Sequence, residues 1–316
     1  RGKKMKIIKK VISCVFLFQF SLSVYAIDWT KVEAKQVTLF YPGQSSWEWI
    51  LTKSDHGGAK NFRKGKDCRE CHQEEEKDMG RLIVSGKKLE PDPILGKRGY
   101  IVVDIKTAYD ASNFYIQLSW KETGKVINNK MAKDQSKVTL LFDDGHVKGV
   151  TRAGCWASCH DDATLMRSAP QGKEVNLYLS KSRTKLTRNG GGDNYQSDAT
   201  LEKMLSDGYF IELWQARLNQ TQAVKAVDGY LLDKRYASEL TQISAVAEFN
   251  KGRWTVELSR KLTPNLPQTK DIVANKLYSF GIAIHDEYTY GRRHHVSFLH
   301  TFALDQGKAD FIAVKQ

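Results

Sequence analysis

Apolar positions along this chain fall into short runs broken by turn residues, and few of them sustain a helical repeat. Beyond Pro91 and Pro93 the runs lie at 100–105, 114–120, 138–142, 175–179, 209–218, 243–249, 254–258, 278–284 and 295–302. Each is rich in β-branched or aromatic residues and bounded by turn signals, so each predicts a strand. Trp254, Val256 and Leu258 alternate with Thr255, Glu257 and Ser259, which places the two sets on opposite faces of a strand. Asn250-Lys251-Gly252, between two such runs, predicts a hairpin turn. The pattern predicts a mainly β protein built as a β-sandwich. Helix is expected at 199–205 and just after each of two Cys-His motifs described below, and the glycine-rich stretch 189–196 reads as a surface loop.

Ahead of Pro91 the character changes. Residues 53–80 are polar, charged and glycine-containing, and read as loop and short helix wrapped around a ligand. Still earlier, six Lys/Arg precede an apolar run at 11–24 that closes on Val24-Tyr25-Ala26. That is the layout of a secretory signal, and the run is too short for the ~20 residues a spanning helix needs. The expected organisation is a signal peptide at 1–26, a segment at 27–90, and a β-sandwich domain at 91–316. A lipid anchor at Cys14 is not expected, because the apolar run continues past it. Removing the signal lowers the formal charge from +13 to +7. The basic balance is thus largely a targeting feature, and it argues neither for a nucleic-acid partner nor for a stable membrane anchor.

Cysteine usage changes the picture most. The expected mature chain holds only Cys68, Cys71, Cys155 and Cys159, in two close pairs each followed directly by histidine. Cys68-Arg69-Glu70-Cys71-His72 matches the attachment pattern of c-type haem. Two thiols one turn apart can add to the vinyl groups of one porphyrin, and the next imidazole then reaches the iron from the proximal side. Cys155-Trp156-Ala157-Ser158-Cys159-His160 has one more residue between its cysteines, and is read as a second such site. A redox pair, a disulfide or a zinc site shared by both pairs are the competing readings, and they leave the two histidines unexplained.

A second axial ligand decides whether such an iron carries electrons or binds small molecules. The remaining histidines are His56, His146, His285, His294, His295 and His300, with Met79, Met131, Met166 and Met204 as thioether candidates. His56 is the choice for the haem at His72, since Gly57 and Gly58 let its loop fold back across the ring. For the haem at His160, Met166, His285, His294 and His295 stay open, together with His146 or no ligand at all.

The run 153–162 around the second motif, with Phe280-Gly281-Ile282-Ala283-Ile284-His285-Asp286 and Gly291-Arg292-Arg293-His294-His295-Val296-Ser297, resembles the ethylbenzene dehydrogenase-related cytochrome family, which includes haem-binding subunits of the DMSO reductase-like enzymes. The resemblance covers about 91–304. It implies a β-sandwich with haem between sheets and a role as electron-transfer subunit or partner, in some members of a molybdenum enzyme. In the best-known members methionine and a strand lysine hold a non-covalent haem. Here the similar run 211–217 offers Arg217, whose guanidinium has no lone pair for iron. The resemblance then leaves ligation to His160, with Arg217 free to pair with a haem propionate.

The expected function is a periplasmic dihaem c-type cytochrome that transfers electrons to and from redox partner proteins, a molybdoenzyme or a membrane quinol-oxidising cytochrome among them. The alternative is a dihaem enzyme, a peroxidase or small-oxyanion reductase with one open iron, in which Asp161, Asp162, His285 and Arg217 would serve acid-base or anion-orienting roles. No nucleophile triad, phosphate-binding loop or dinucleotide fingerprint is present.

Overall fold

The computed structural model describes residues 27–123, 133–160, 177–187, 191–305 and 307–316, with backbone alone at Cys159 and His160. The expected signal peptide, Met131, Met166, Asp161, Asp162 and any helix directly after His160 lie outside the described residues. Within them the strands are β1 Lys35–Phe40, β2 Tyr100–Tyr109, β3 Asn113–Lys121, β4 Ser136–Asp143, β5 Ser158–His160, β6 Leu177–Leu179, β7 Ile211–Asn219, β8 Gln222–Leu231, β9 Arg235–Ser238, β10 Ser244–Asn250, β11 Arg253–Lys261, β12 Tyr278–His285, β13 His295–Val296, β14 His300–Leu304 and β15 Phe311–Lys315. Short helices are α1 Trp47–Leu51, α2 Ala59–Arg63, α3 Arg69–His72, α4 Glu76–Val84, α5 Val150–Ala153 and α6 Asp198–Ser206.

Thirteen strands form one sheet in the order β10-β11-β3-β2-β1-β13-β12-β4-β7-β8-β9, and β14 and β15 link β12 back to β2. Neighbours are antiparallel except where β15 pairs with β14 and β2. The sheet folds on itself, so that Val103, Leu118, Val256 and Leu258 from one half pack in one core with Val138, Trp214, Ile282 and Ile284 from the other. Phe114 and Trp214 meet across it with ring centres 6.3 Å apart. The result is β-sandwich-like, as alternation along the strands predicts. Trp254, Val256 and Leu258 are buried while Thr255, Glu257 and Ser259 are half exposed. The hairpin joining β10 to β11 turns on Lys251 and Gly252, both at positive φ, 48° and 76°, as a two-residue loop between right-twisted strands requires.

Three features differ from expectation. The chain before Pro91 is not merely appended, because β1 lies hydrogen-bonded between β2 and β13 inside the sheet. Its strand signal is weak at Lys35-Gln36, which the sheet pairs with Ile105 and Asp104. The run 295–302 is two short strands, broken at Ser297-Phe298-Leu299. Ser297 turns its backbone and hydroxyl onto Ile282, and this frees Phe298 to point toward the first motif. Strands β8 and β9, polar and edge-like, carry too little apolar alternation to stand out.

A smaller apolar cluster lies outside the sandwich core. It joins Trp47, Ile50 and Phe62 from α1 and α2 to Val150, Ala153 and Ala157, and to Leu141, Leu213 and Ile211 on the sheet's outer face. Cys68, Cys155 and Trp156 pack against this cluster. Both cysteine motifs therefore sit together on one outer face of the sheet.

Candidate functional site: two adjacent cysteine-histidine sites

At the first motif a reciprocal pair of hydrogen bonds sets the turn. Glu70 N–H donates to Asp67 Oδ1 at 2.8 Å, and Asp67 N–H donates to Glu70 Oε2 at 2.7 Å, a reciprocal pair of the capping-box kind around Cys68 at the start of α3. Arg69 anchors the turn to Asp310 at the start of β15, at 2.8 Å, and the Cys68 amide donates to the Arg152 carbonyl at 3.2 Å. Arg152 lies three residues before Cys155, so the two motifs are stitched together by backbone.

His72 donates from Nδ1 to Glu75 Oε2 at 2.9 Å. Across the cleft, His56 donates from Nδ1 to the Ile50 carbonyl at 3.0 Å, and its ring packs on Trp49 with centres 4.8 Å apart. Each histidine thus keeps Nε2 as the nitrogen available to a metal. The two ring centres are 6.1 Å apart with planes at 30°. Metal–imidazole nitrogen distances of about 2 Å, plus about 1 Å back to each ring centre, put two imidazoles on one iron about 6 Å apart. The observed separation meets that requirement. Burial lowers the His56 pKa, helped by His72 and Lys88 and opposed by the Ile50 carbonyl, which favours the neutral, ligating form. A Cβ at Gly58 would lie 3.1 Å from His56 Nε2; glycine there keeps that nitrogen clear.

Between these rings opens a mainly apolar cleft of about 930 Å³, its open mouth included, walled by Phe40, Ile50, Phe62, Met79, Leu82, Ile83, Trp156 and Phe298, with Cys68 and Cys71 in the same wall. Cofactor sites are concave and mostly apolar, with a few placed polar groups. The residues present fit a covalently held haem. Burial pushes the Cys68 and Cys155 thiols up to about 12; such surroundings suit neutral thioethers better than the thiolates a zinc site needs. Among the described residues no three His, Cys, Asp or Glu side chains converge as a metal cage would.

The second motif follows α5 through a tight turn into β5, which pairs with β6 at Cys159↔Tyr178. Ser158 donates from Oγ to the Cys155 carbonyl at 2.8 Å. Cys155 presses on β12, where a Cβ at Gly281 would lie 2.6 Å from its sulfur and 2.8 Å from its amide nitrogen. A small cleft opens beside it, lined by Cys155, Trp156, Ser158, Arg292, His294 and Val296 among others. Trp156 belongs to both clefts. It donates from Nε1 to Ser45 Oγ at 3.2 Å and packs against Phe40 and Phe298 at 5.3 and 5.9 Å. Phe298 in turn faces His72 at 6.2 Å.

The remaining candidates separate clearly. His295 is buried in an ion-pair network, with Nε2 on the Arg98 carbonyl at 2.8 Å and Nδ1 3.4 Å from Asp286. Burial alone would raise the Asp286 pKa, but Lys97, His295 and Arg98 hold it well below the usual carboxylate range. His285 and His294 share the Gly291 carbonyl, at 3.0 and 2.9 Å, with ring centres 4.7 Å apart. Burial drives both away from the charged form, His285 well below the usual value and His294 to about 4. His146 pairs with Asp144 at 2.6 Å and, with Met204, lines a different cleft beside Lys181 and Tyr209. His300 faces Asp310 at 3.7 Å. Arg217 is held by Gln215 and Glu239 on the sheet. Sequence reasoning passed over Trp156, Phe298, Glu75 and Gly281 as parts of the sites. A carboxylate three residues after a ligating histidine was the available signal for Glu75, and a lone glycine in a strand for Gly281.

The folded β-sheet carries two cysteine-histidine motifs on one outer face, and the family profile and the most similar proteins place the chain among cytochromes. The family profile described as Ethylbenzene dehydrogenase matches residues 26–297. The chain is 35% identical over 292 residues to Cytochrome c-552 of Stutzerimonas stutzeri, covering 92% of this chain and 91% of that protein. It is 28% identical over 295 residues to Cytochrome c-551 of Rhodocyclus tenuis, covering 92% and 100%. Among solved structures it is similar to a carbohydrate binding module family 9 from Caldicellulosiruptor kristjanssonii in complex with cellotriose, at 10% identity and a TM-score of 0.29 over 63% of this chain and 65% of that one. The chain belongs to the ethylbenzene dehydrogenase-related cytochrome family.

Proposed function

We propose that this chain is an exported, periplasmic dihaem c-type cytochrome that transfers electrons, with haem attached at Cys68 and Cys71 under His72 and at Cys155 and Cys159 under His160. The observation that carries the reading is the His56–His72 pair, 6.1 Å between ring centres across an apolar cleft that the attachment cysteines enter. The names of the two cytochrome relatives support covalent haem. Haem iron held by two imidazoles alternates between ferric and ferrous states and so carries one electron at a time.

The chain's own residues prepare that role. Glu75 and the Ile50 carbonyl fix the tautomers of His72 and His56, and the carboxylate makes the His72 imidazole a stronger donor. Phe40, Phe62, Ile83 and Phe298 give the cleft an apolar wall. Trp156, shared by both clefts, keeps the two sites one side chain apart, the short spacing a relay needs. No described helix is long and apolar enough to cross a membrane. The partners proposed are redox proteins, a molybdoenzyme or a membrane quinol-oxidising cytochrome.

Protein matured by a c-type haem assembly system should retain two haems per chain after denaturing electrophoresis, and one after Cys155→Ala with Cys159→Ala. The oxidised wild type should be wholly low-spin by electron paramagnetic resonance and inert toward peroxide and nitrite. A substantial high-spin signal with saturable turnover of either substrate would replace the relay with an enzyme.

A further inference from the structure

We infer that His294 is the distal ligand of the iron at the second attachment site, an assignment that rests on reading Cys155-Cys159-His160 as a haem site. His294 shares one cleft with Cys155, Trp156 and Ser158, and no other histidine lines that cleft among the described residues. Its tautomer is preset: Nδ1 donates to the Gly291 carbonyl at 2.9 Å, which leaves the Nε2 lone pair for a metal. This repeats the device at His56, whose Nδ1 is held by the Ile50 carbonyl.

His285 plays the supporting part. Its ring lies 4.7 Å from that of His294, and its Nε2 donates to the same carbonyl at 3.0 Å. Two donors on one oxygen clamp the His294 ring from both sides of the Gly291 turn. His285 is on the outward face of β12 with Ala283 and Gly281, two and four residues back, since alternate strand residues share a face. Cys155 is seated directly on Gly281, where a Cβ would lie 2.6 Å from its sulfur. The other described histidines lie elsewhere: His295 on the Arg98 carbonyl and near Asp286, His146 on Asp144, His300 beside Asp310.

The test uses the matured, haem-loaded full chain. A haem-to-protein ratio of one, measured as the pyridine haemochrome, would overturn the dihaem reading itself and this assignment with it. With a ratio of two, His294→Ala should turn half of the haem high-spin and create one carbon monoxide site per chain on reduction. Free imidazole should restore the low-spin spectrum. His285→Ala should leave both haems low-spin. Two low-spin haems with no carbon monoxide adduct in His294→Ala, or opening by His285→Ala instead, would overturn the assignment. If the alanine variant fails to fold, His294→Met decides: a far-red charge-transfer band of methionine-ligated ferric haem supports it, and an unaltered spectrum overturns it.

Discussion

His56 and His72 hold their rings from opposite sides of one cleft, each through a single hydrogen bond on Nδ1. One ring is tied to the main-chain carbonyl of Ile50, six residues upstream in α1, the other to a carboxylate three residues downstream. The choice of His56 from its loop glycines was legible because Gly57-Gly58 signals a reversal, but its hold on Ile50 was not, since that bond depends on where α1 ends. At the first site His56→Ala should give one carbon monoxide adduct per chain in the reduced protein, against none in the wild type. An unchanged reduced spectrum under carbon monoxide would remove His56 from the iron. Trp156 shows the opposite limit of residue reading. As the second residue of a Cys-Trp-Ala-Ser-Cys run it is one more aromatic, and only its neighbours Phe40, Phe298 and Ser45 make it a shared wall.

Strand β12 carries much of the site at the scale of elements. Its inward residues Phe280, Ile282 and Ile284 fill the sandwich core, while Gly281, Ala283 and His285 face the second motif. The alternation was readable from sequence; the need for glycine at 281 was not, because the object that excludes a side chain is the backbone of Cys155, more than a hundred residues earlier. Gly281→Ala would place a methyl 2.8 Å from the Cys155 nitrogen, and overpacking of this kind costs about 1–3 kcal/mol. We expect a lower denaturation midpoint and a fraction of chains carrying haem at the first site alone, resolved by intact mass. Full double attachment with an unshifted midpoint would show that the turn at 154–157 yields freely. The same dependence on distant partners explains why 295–302 was read as one strand: Ser297 bonds Ile282 across the sheet and breaks the run.

Over the whole molecule, the first motif is not a loose appendage. β1 pairs inside the sheet, and Arg69 ties the attachment turn to Asp310, which also accepts from the Thr301 amide at 2.8 Å. Burial alone would raise the Asp310 pKa, but His300, Arg69 and the Thr301 amide hold it far below the usual value. Asp144 is lowered in the same sense, against its burial, by Lys270 and Lys276. A carboxyl depressed in the folded state stabilises above its unfolded pKa, and that contribution is lost as pH falls toward the folded value. Urea midpoints of the wild type should therefore drop below about pH 4, the range in which unfolded carboxyls take up protons. Asp310→Asn should unfold at lower urea than the wild type at neutral pH, and the gap should close as pH falls through that range. A gap that stays constant to low pH would mean that the Asp310 charge contributes nothing to the fold.

The proposed covalent chemistry is legible in the chain: two cysteine pairs with a following histidine need only local spacing, because both thiols and the imidazole would act within a few residues of one another. The β class was written there too, because strand alternation is a local consequence of the pleat. What the tertiary structure decided is everything that joins distant segments. It placed His56 opposite His72, put Trp156 between two clefts, brought His295 near Asp286, and set His294 beside Cys155. Histidines in one sequence differ little until burial and hydrogen-bond partners set which nitrogen is free and what it faces, and those partners come from strands and turns far away along the chain.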